Sequence, residues 1–228
     1  MSRTSDIMNS KRMTLIVSIP DNSEEMARAC ADNGADAVKV HINVQHAVSG
    51  RKFGNLEDER PRLEKVLSVG LPVGIVPGEN LWLDVDEVRE MAQMGFDYID
   101  VFAHFMPAHL LAVEGIGKEV AVGTNYSLAA IRSFDVLPVD AVDAAIIGPE
   151  GYRKPLSVDD LTRYRAIVEA TVKPVVVPTD RTIRPEDVES LAMIGVKGLM
   201  IGVASVGTSL SSIEGSVREF RKAIDQLG

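Results

Sequence analysis

Cysteine is nearly absent from the sequence, with Cys30 as the single example among 228 residues. A lone cysteine cannot form an internal disulfide, which is typical of proteins that work in a reducing cytosol. No apolar run approaches the roughly 18–20 residues that span a bilayer. Residues 1–12 are polar and lack the apolar core of a signal peptide. We therefore expect a cytoplasmic protein without a membrane partner, whose residues 1–12 form a flexible segment.

Positive charge is also scarce. The chain has 24 Lys and Arg residues against 33 Asp and Glu residues, a formal net charge of −9. Such a surface repels polyanions, so nucleic acid is excluded as a partner. A small anionic metabolite, the expected ligand, would need a local positive site. Basic side chains near strand ends therefore matter more than the net charge.

Several sequence signatures of catalysis are missing. The chain has no Walker A loop, no G-x-G-x-x-G between a strand and a helix, and no serine nucleophile elbow. It also has neither an H-E-x-x-H sequence nor a cysteine cluster. These absences argue against nucleotide kinases, classical dinucleotide enzymes and triad hydrolases, and no cofactor is predicted.

What the sequence does contain is a regular alternation of short apolar strands with amphipathic helices. Hydrophobic residues make up 46% of the chain, enough for the core of one domain. The alternation repeats eight times, whereas a flavodoxin-like open sheet typically uses about five or six strands. We therefore predict an α/β fold, a single-domain (β/α)8 TIM barrel over residues 13–228. The predicted strands are residues 13–19, 37–42, 72–77, 97–102, 119–122, 144–147, 175–177 and 198–201.

The stretch 174–209 reads as strand, polar loop, helix, strand and a loop of small residues. In a barrel, the loops after strands seven and eight lie on the same face, and their backbone N–H groups can point at one anion. A phosphate-binding site is one interpretation of this stretch. An ordinary βαβ unit with small-residue turns is the other.

Polar side chains alternate with apolar ones in strands two and four. Because barrel strands alternate between the helix layer and the interior, Lys39, His41 and Asn43 are predicted to point inward. Asp100 faces inward from strand four, and His104 lies inward or on the rim. A buried lysine needs a partner, and Asp100 is the natural one. The pair is either a structural salt bridge or an acid–base pair tuned for proton transfer.

Further polar residues follow strands three, five and six. Glu79 is a candidate acid or base, and Thr124 is a candidate hydrogen-bonding group. Arg153 belongs to a polar loop that either closes over a ligand or is simply solvated.

A divalent metal ion is conceivable but not predicted. Four side chains of ligating types lie at successive strand ends: His41, Glu79, Asp100 and His104. No characteristic ligand spacing supports a metal site among them.

Five segments carry a resemblance over residues 15–209. They are 15–18 (LIVS), 34–37 (GADA), 71–76 (LPVGIV), 95–99 (GFDYI) and the block from strand seven to strand eight. On these segments the chain resembles the ribulose-phosphate-binding barrel superfamily. Within that superfamily, the sequences of the segments are most similar to those of N-acetylmannosamine-6-phosphate epimerases. The resemblance implies that loops after strands seven and eight hold a substrate phosphate. The corresponding residues are Arg181, Thr182, Gly202, Val203 and Ala204.

The chain departs from the epimerase pattern at the catalytic positions. Pro77 stands near the place of the epimerase lysine, Pro178 replaces the glutamate, and Pro20 replaces a glutamine. Asp180 and Arg181 replace the usual glycine pair of the strand-seven loop. Epimerase chemistry therefore does not carry over, and Arg181 is expected to compensate by binding a phosphate through its fork of donors.

Together these features predict an enzyme that acts on a small phosphorylated sugar or related metabolite, as an isomerase, epimerase or carbon–carbon lyase. Lys39 would act as acid, electrostatic stabiliser or, less favourably, Schiff-base amine, and Asp100 would orient it. His41 or Glu79 would exchange protons. The expected further substrate contacts are Asn43, His104, Thr124 and Arg153. The alternative is a non-catalytic phospho-metabolite-binding or regulatory barrel, and a homo-oligomer is compatible with both.

Overall fold

The computed structural model describes residues 1–45, 50–78 and 81–227. Within these ranges eight parallel strands close into a barrel in sequence order. The strands are β1 (Thr14–Ser18), β2 (Ala37–His41), β3 (Val73–Val76), β4 (Tyr98–Phe102), β5 (Gly117–Ala121), β6 (Ala141–Asp143), β7 (Val175–Pro178) and β8 (Gly198–Ile201). Closure is made by β1, which pairs with both β2 and β8. The predicted TIM barrel is confirmed.

Helices pack around the sides and across the ends of this barrel. They are α1 (Arg3–Ser10), α2 (Glu24–Asp32), α3 (Leu56–Leu67), α4 (Val85–Met94), α5 (Leu128–Arg132), α6 (Val158–Ala170), α7 (Val188–Met193), α8 (Val203–Val206) and α9 (Leu210–Asp225). Between β4 and β5, 3-10 turns at Ala103–Phe105 and Ala108–Ala112 stand where a helix was predicted. No helix in the described ranges is both long and apolar enough to cross a membrane.

Each strand sends alternate side chains outward and inward. Val38 and Val40 of β2 belong to the large hydrophobic cluster between barrel and helices. Ile16, Val176 and Met200 form a separate cluster inside the barrel. The alternation predicted for β2 therefore holds, and it leaves the intervening Lys39 inside the barrel.

The first residues differ from the flexible segment predicted for residues 1–12. Ser2 caps α1, and Asp97 accepts hydrogen bonds from the backbone N–H groups of Arg3 and Thr4 at 2.7 and 2.9 Å. A carboxylate at a helix N-terminus is favourable. Met8, 1% exposed, packs into the interior cluster. Residues 3–10 thus form a helix against an apolar site at the end of the barrel, which the sequence of residues 1–12 does not reveal.

Two strands begin earlier than predicted. The predicted strand 119–122 lies at Gly117–Ala121, and the predicted strand 144–147 lies at Ala141–Asp143. The apolar run 144–147 follows the strand and does not form it. Asp143 is consequently a strand residue, paired in register with Ala121 of β5 and Val176 of β7.

Candidate functional site

A cavity of about 430 Å³ opens at the carboxyl ends of the strands. Lys39, Asp100 and Asp143 lie at its floor, and Thr124, Gly202 and neighbouring residues line its wall. This end of a TIM barrel is where active sites form, because the βα loops converge there. The cavity is therefore the candidate site.

A charged cluster occupies the floor. The Lys39 Nζ atom donates to Asp100 Oδ2 at 2.6 Å and lies 3.9 Å from Asp143 Oδ2. Lys39 is 5% exposed, Asp100 and Asp143 are each 4% exposed, and Glu119 is 2% exposed. The three charged residues in contact come from β2, β4 and β6, the alternate strands that form one interior layer in this fold.

Burial and crowding shift the protonation of these groups. Burial raises the pKa of Glu119 and of Asp143 well above the usual range, and the nearby charge of Asp100 raises both further. Burial by itself would lower the pKa of Lys39, but the carboxylates of Asp100, Asp143 and Glu119 outweigh it and raise that pKa. Both shifts favour the protonated form of Glu119 and of Asp143 over the charged form.

A tyrosine lies beneath this floor. An ideal Cβ at Gly74 would come within 2.6 Å of both Cε atoms of the Tyr98 ring, so only glycine fits on β3 at this point. Tyr98 is 1% exposed. Burial and the charges of Glu119, Asp100 and other acids raise the pKa of its hydroxyl well above the usual range.

His41 lines the same cavity at the end of β2. Its Nε2 atom lies 3.4 Å from the Ser18 hydroxyl of β1. Its backbone is bracketed by the Asn22 amide, which donates to the His41 carbonyl at 2.8 Å and accepts from the His41 N–H at 3.2 Å. The imidazole stacks on Phe53 with ring centroids 5.3 Å apart. These contacts orient the ring toward the cavity wall.

The ends of β7 and β8 form another part of the cavity wall. The Gly202 N–H donates to the Thr179 hydroxyl at 2.7 Å, which joins the two loops. Val203 and Ala204 also line the cavity. Asp180 lies beside them, and burial raises its pKa from 3.8 to about 6 against the opposing effects of Lys39 and Arg181.

Arg181 and Thr182, which were predicted to bind a phosphate, are absent from the cavity lining formed by the described residues. The Arg181 guanidinium donates to Asp160 Oδ1 and to the Gly151 carbonyl, each at 2.9 Å. Asp160 is fully buried near the start of α6. Because a buried carboxylate is destabilising when it is unpaired, Asp160 needs a charged partner such as Arg181. The Thr182 N–H and hydroxyl donate to the carbonyls of Lys154 and Arg153. Both residues therefore connect loops.

The remaining predicted contacts divide between cavity and rim. Thr124 lines the cavity. Asn43 donates to the Pro77 carbonyl at 3.2 Å, and His104 lies on the exposed rim with its Nδ1 atom 3.1 Å from the Tyr126 hydroxyl. The Arg153 N–H donates to the Asp180 carbonyl at 2.8 Å. Asn43, His104 and Arg153 are absent from the cavity lining formed by the described residues, and Glu79 lies outside the described residues.

Sequence reasoning missed Asp143, Glu119 and Asp180. Asp143 was placed before its strand, and Glu119 was placed at a strand start without a role. A usable signal was present for Glu119, which lies at the centre of β5 as Lys39 and Asp100 lie at the centres of β2 and β4. The residues that could ligate a metal also differ from the four side chains named from the sequence. In the structure, Asp100, Glu119 and Asp143 each bring one carboxyl oxygen to within 4.8 Å of the others.

Comparisons with known proteins bear on the fold. No family model and no curated protein matches the sequence. A solved structure of tryptophan synthase from Mycobacterium tuberculosis matches with a TM-score of 0.77 at 15% identity, covering 98% of each chain. Thiamine phosphate pyrophosphorylase from Pyrococcus furiosus matches with a TM-score of 0.65 at 18% identity, covering 95% of this chain and 98% of that one. At these identities the similarity shows a shared barrel fold.

Proposed function

We propose that the chain is an enzyme acting on a small phosphorylated sugar or related metabolite, as an isomerase, epimerase or carbon–carbon lyase. The observation that carries this proposal is the buried Lys39–Asp100 pair at the floor of the cavity. Desolvation offsets most of what a buried ion pair contributes to stability, and apolar side chains can fill a barrel interior equally well. Charged groups with perturbed pKa values in a cleft are typical of functional sites.

The three reaction classes share one chemical step. A bond to the carbon beside a carbonyl breaks, its electron pair stays on the substrate, and negative charge develops on the carbonyl oxygen. In our proposal the Lys39 ammonium stabilises that oxygen, while Asp100 holds the ammonium in place. His41 lines the same cavity and gives or takes the proton at carbon.

The phosphate of such a substrate would bind at the ends of β7 and β8. Gly202, Val203 and Ala204 line this wall, and the loops after strands seven and eight are the usual phosphate site of the fold. Among the described residues that line the cavity, Lys39 is the one Lys or Arg side chain. The site therefore depends on backbone groups for the phosphate and reserves its ammonium for the reacting end.

Proton exchange with solvent tests the reaction. Each member of a sugar-phosphate panel is incubated with the protein in deuterated water, and deuterium incorporation beside the carbonyl is followed by NMR. We expect exchange on at least one compound, abolished in Lys39→Met and retained in the control Lys222→Met, an exposed lysine of α9. Equal exchange by Lys39→Met would remove Lys39 from the mechanism. Binding without exchange across the panel would instead favour the non-catalytic barrel.

A pair of variants matched in size but not in charge tests the phosphate site. Ala204→Asp places a carboxylate on the β8 wall, and Ala204→Asn places a neutral side chain of the same size there. We expect inorganic phosphate and the substrate to bind much more weakly to the Asp variant than to the Asn variant, because only the carboxylate repels an anion. Equal affinities of the two variants would contradict a phosphate at this wall.

A further inference from the structure

The floor of the cavity has polar atoms that lack partners. Asp100 Oδ1, Glu119 Oε1, Asp143 Oδ1 and the Tyr98 hydroxyl are buried without a hydrogen-bond partner among the described residues. All four residues are at most 4% exposed. Buried polar atoms in native proteins are nearly always satisfied, so four neighbouring exceptions call for a ligand.

The cluster also holds more carboxyl groups than basic groups. Within the described part of the barrel interior, one ammonium, Lys39, faces the carboxyl groups of Asp100, Asp143 and Glu119. Lys39 approaches the two aspartates through their Oδ2 atoms, while the Oδ1 atoms are the ones without partners. The ammonium therefore leaves one oxygen of each aspartate available.

We propose that Asp100, Glu119 and Asp143 bind one divalent cation of the oxygen-preferring class, Mg²⁺ or Mn²⁺. One oxygen from each carboxyl lies within 4.8 Å of the others, so a single ion can contact all three after small side-chain movements. Carboxylate oxygens are the preferred ligands of this class. A doubly charged ion would bring the net charge of the three carboxylates and Lys39 to zero.

Tyr98 adds an unpartnered hydroxyl at the same location. Its ring lies across Gly74 inside the barrel, and the charges of Glu119, Asp100 and Asp143 all act on its hydroxyl. Its O–H can donate to carboxylate oxygens outside the coordination shell or to a metal-bound water, a common arrangement around metal ligands. An apolar phenylalanine would fill the same space if packing were the sole requirement.

The proposed metal site adjoins the cavity, so an ion could enter from the cavity and contact a ligand bound there. Asp100 and Asp143 line the cavity, whereas Glu119 lies beneath it. Mg²⁺ demands about six oxygen ligands and releases water reluctantly, so three carboxylates leave positions for water or for substrate oxygens. An ion held here would face the ligand beside Lys39.

Metal binding by the full chain tests this inference without any substrate. Chelator-treated protein is titrated with Mn²⁺ and Mg²⁺ by calorimetry, with Mn²⁺ EPR and thermal unfolding as parallel measurements. We expect one site, and a thermal transition that rises with ion concentration. Glu119→Gln should weaken binding at least about tenfold, the lower end of losses seen even for groups outside the coordination shell.

Glu119→Gln suits this purpose because it removes charge from a crowded cluster without changing side-chain size. Glu219→Gln on the exposed face of α9 is the matched control and should bind the ion as the unmodified chain does. Absence of binding at millimolar Mn²⁺ and Mg²⁺ would overturn the proposal, and two protons would then balance the cluster. Equal affinity of Glu119→Gln and the unmodified chain would also overturn it, because the ion would lie elsewhere. Either result leaves the exchange test of the proposed reaction unaffected.

Discussion

The Lys39–Asp100 pair makes a quantitative prediction through a double-mutant cycle. Two unit charges 2.6 Å apart attract by about 6 kcal/mol at an effective dielectric constant of about 20. Desolvation offsets much of that attraction, but removing one partner leaves the other buried and unpaired. We therefore expect Lys39→Met to lower the free energy of unfolding by about 3–5 kcal/mol.

The two single variants should not be equivalent. In Asp100→Asn, Lys39 keeps Asp143 as a neighbour 3.9 Å away, so a smaller loss of about 1–2 kcal/mol is expected. Combining both substitutions removes the charge and its partner together. The double variant should thus be more stable than Lys39→Met alone, which requires a coupling larger than the loss of about 1–2 kcal/mol expected for Asp100→Asn.

The measurement is urea unfolding at pH 7 in the presence of a chelator, with an unchanged slope against urea as the check on two-state behaviour. If Lys39→Met fails to fold while the double variant folds, the coupling is established qualitatively. Single effects that add within about 0.5 kcal/mol would show that the two groups do not form the pair described above.

Three further perturbations follow from other parts of the barrel. Gly74→Ala should lower the free energy of unfolding by about 3 kcal/mol or more, because the new methyl would clash with the ring of Tyr98. The control Gly215→Ala in α9 meets no atom and should raise that free energy by about 0.5–1 kcal/mol. Equal urea midpoints of the two variants would contradict the close approach of Tyr98 to Gly74. Met8→Ala should cost about 2–5 kcal/mol in unfolding free energy, whereas a frayed terminus would give no change. The raised pKa of Asp180 means that ionisation disfavours the folded state, so stability present below pH 3.8 is lost as the pH rises through about 6. Asp180→Asn removes this ionisation, which costs at most about 3 kcal/mol of stability and less where solvent in the cavity screens the charge. The variant should therefore become increasingly more stable than the unmodified chain between pH 4 and pH 7. A difference in unfolding free energy that does not change with pH would contradict this.

Local patterns in the sequence predicted the barrel and the central pair. The alternation of Val38, Lys39 and Val40 directly encodes which side chains face the interior, since a strand repeats every two residues. The same reasoning applied to β4 places Asp100 inside. Because both strands were bounded to within one residue, the contact between Lys39 and Asp100 could be predicted from the alternation and the fold class.

Other residues could not be placed from local patterns. Asp143 was missed because the apolar run 144–147 has the more obvious strand composition, and the register of β6 is set by pairing with β5 and β7. Arg181 was predicted to bind a phosphate, and local patterns did not show that its guanidinium pairs with the buried Asp160, 21 residues earlier in the chain. Helix α1 forms against an apolar site that exists only once the barrel closes.

The sequence by itself determined the number and direction of the strands, the inward position of Lys39 and Asp100, and the acidic balance that confines any anion to a local site. These features are local or compositional, so a single chain read in order displays them. Tertiary structure decided that Asp143 joins Lys39 and Asp100 at the floor of the cavity, and that Arg181 pairs with Asp160. It also decided where the buried carboxyl oxygens without partners lie close together. Those outcomes depend on distances across a closed barrel, because strands remote in sequence meet there and burial determines which charges must be paired.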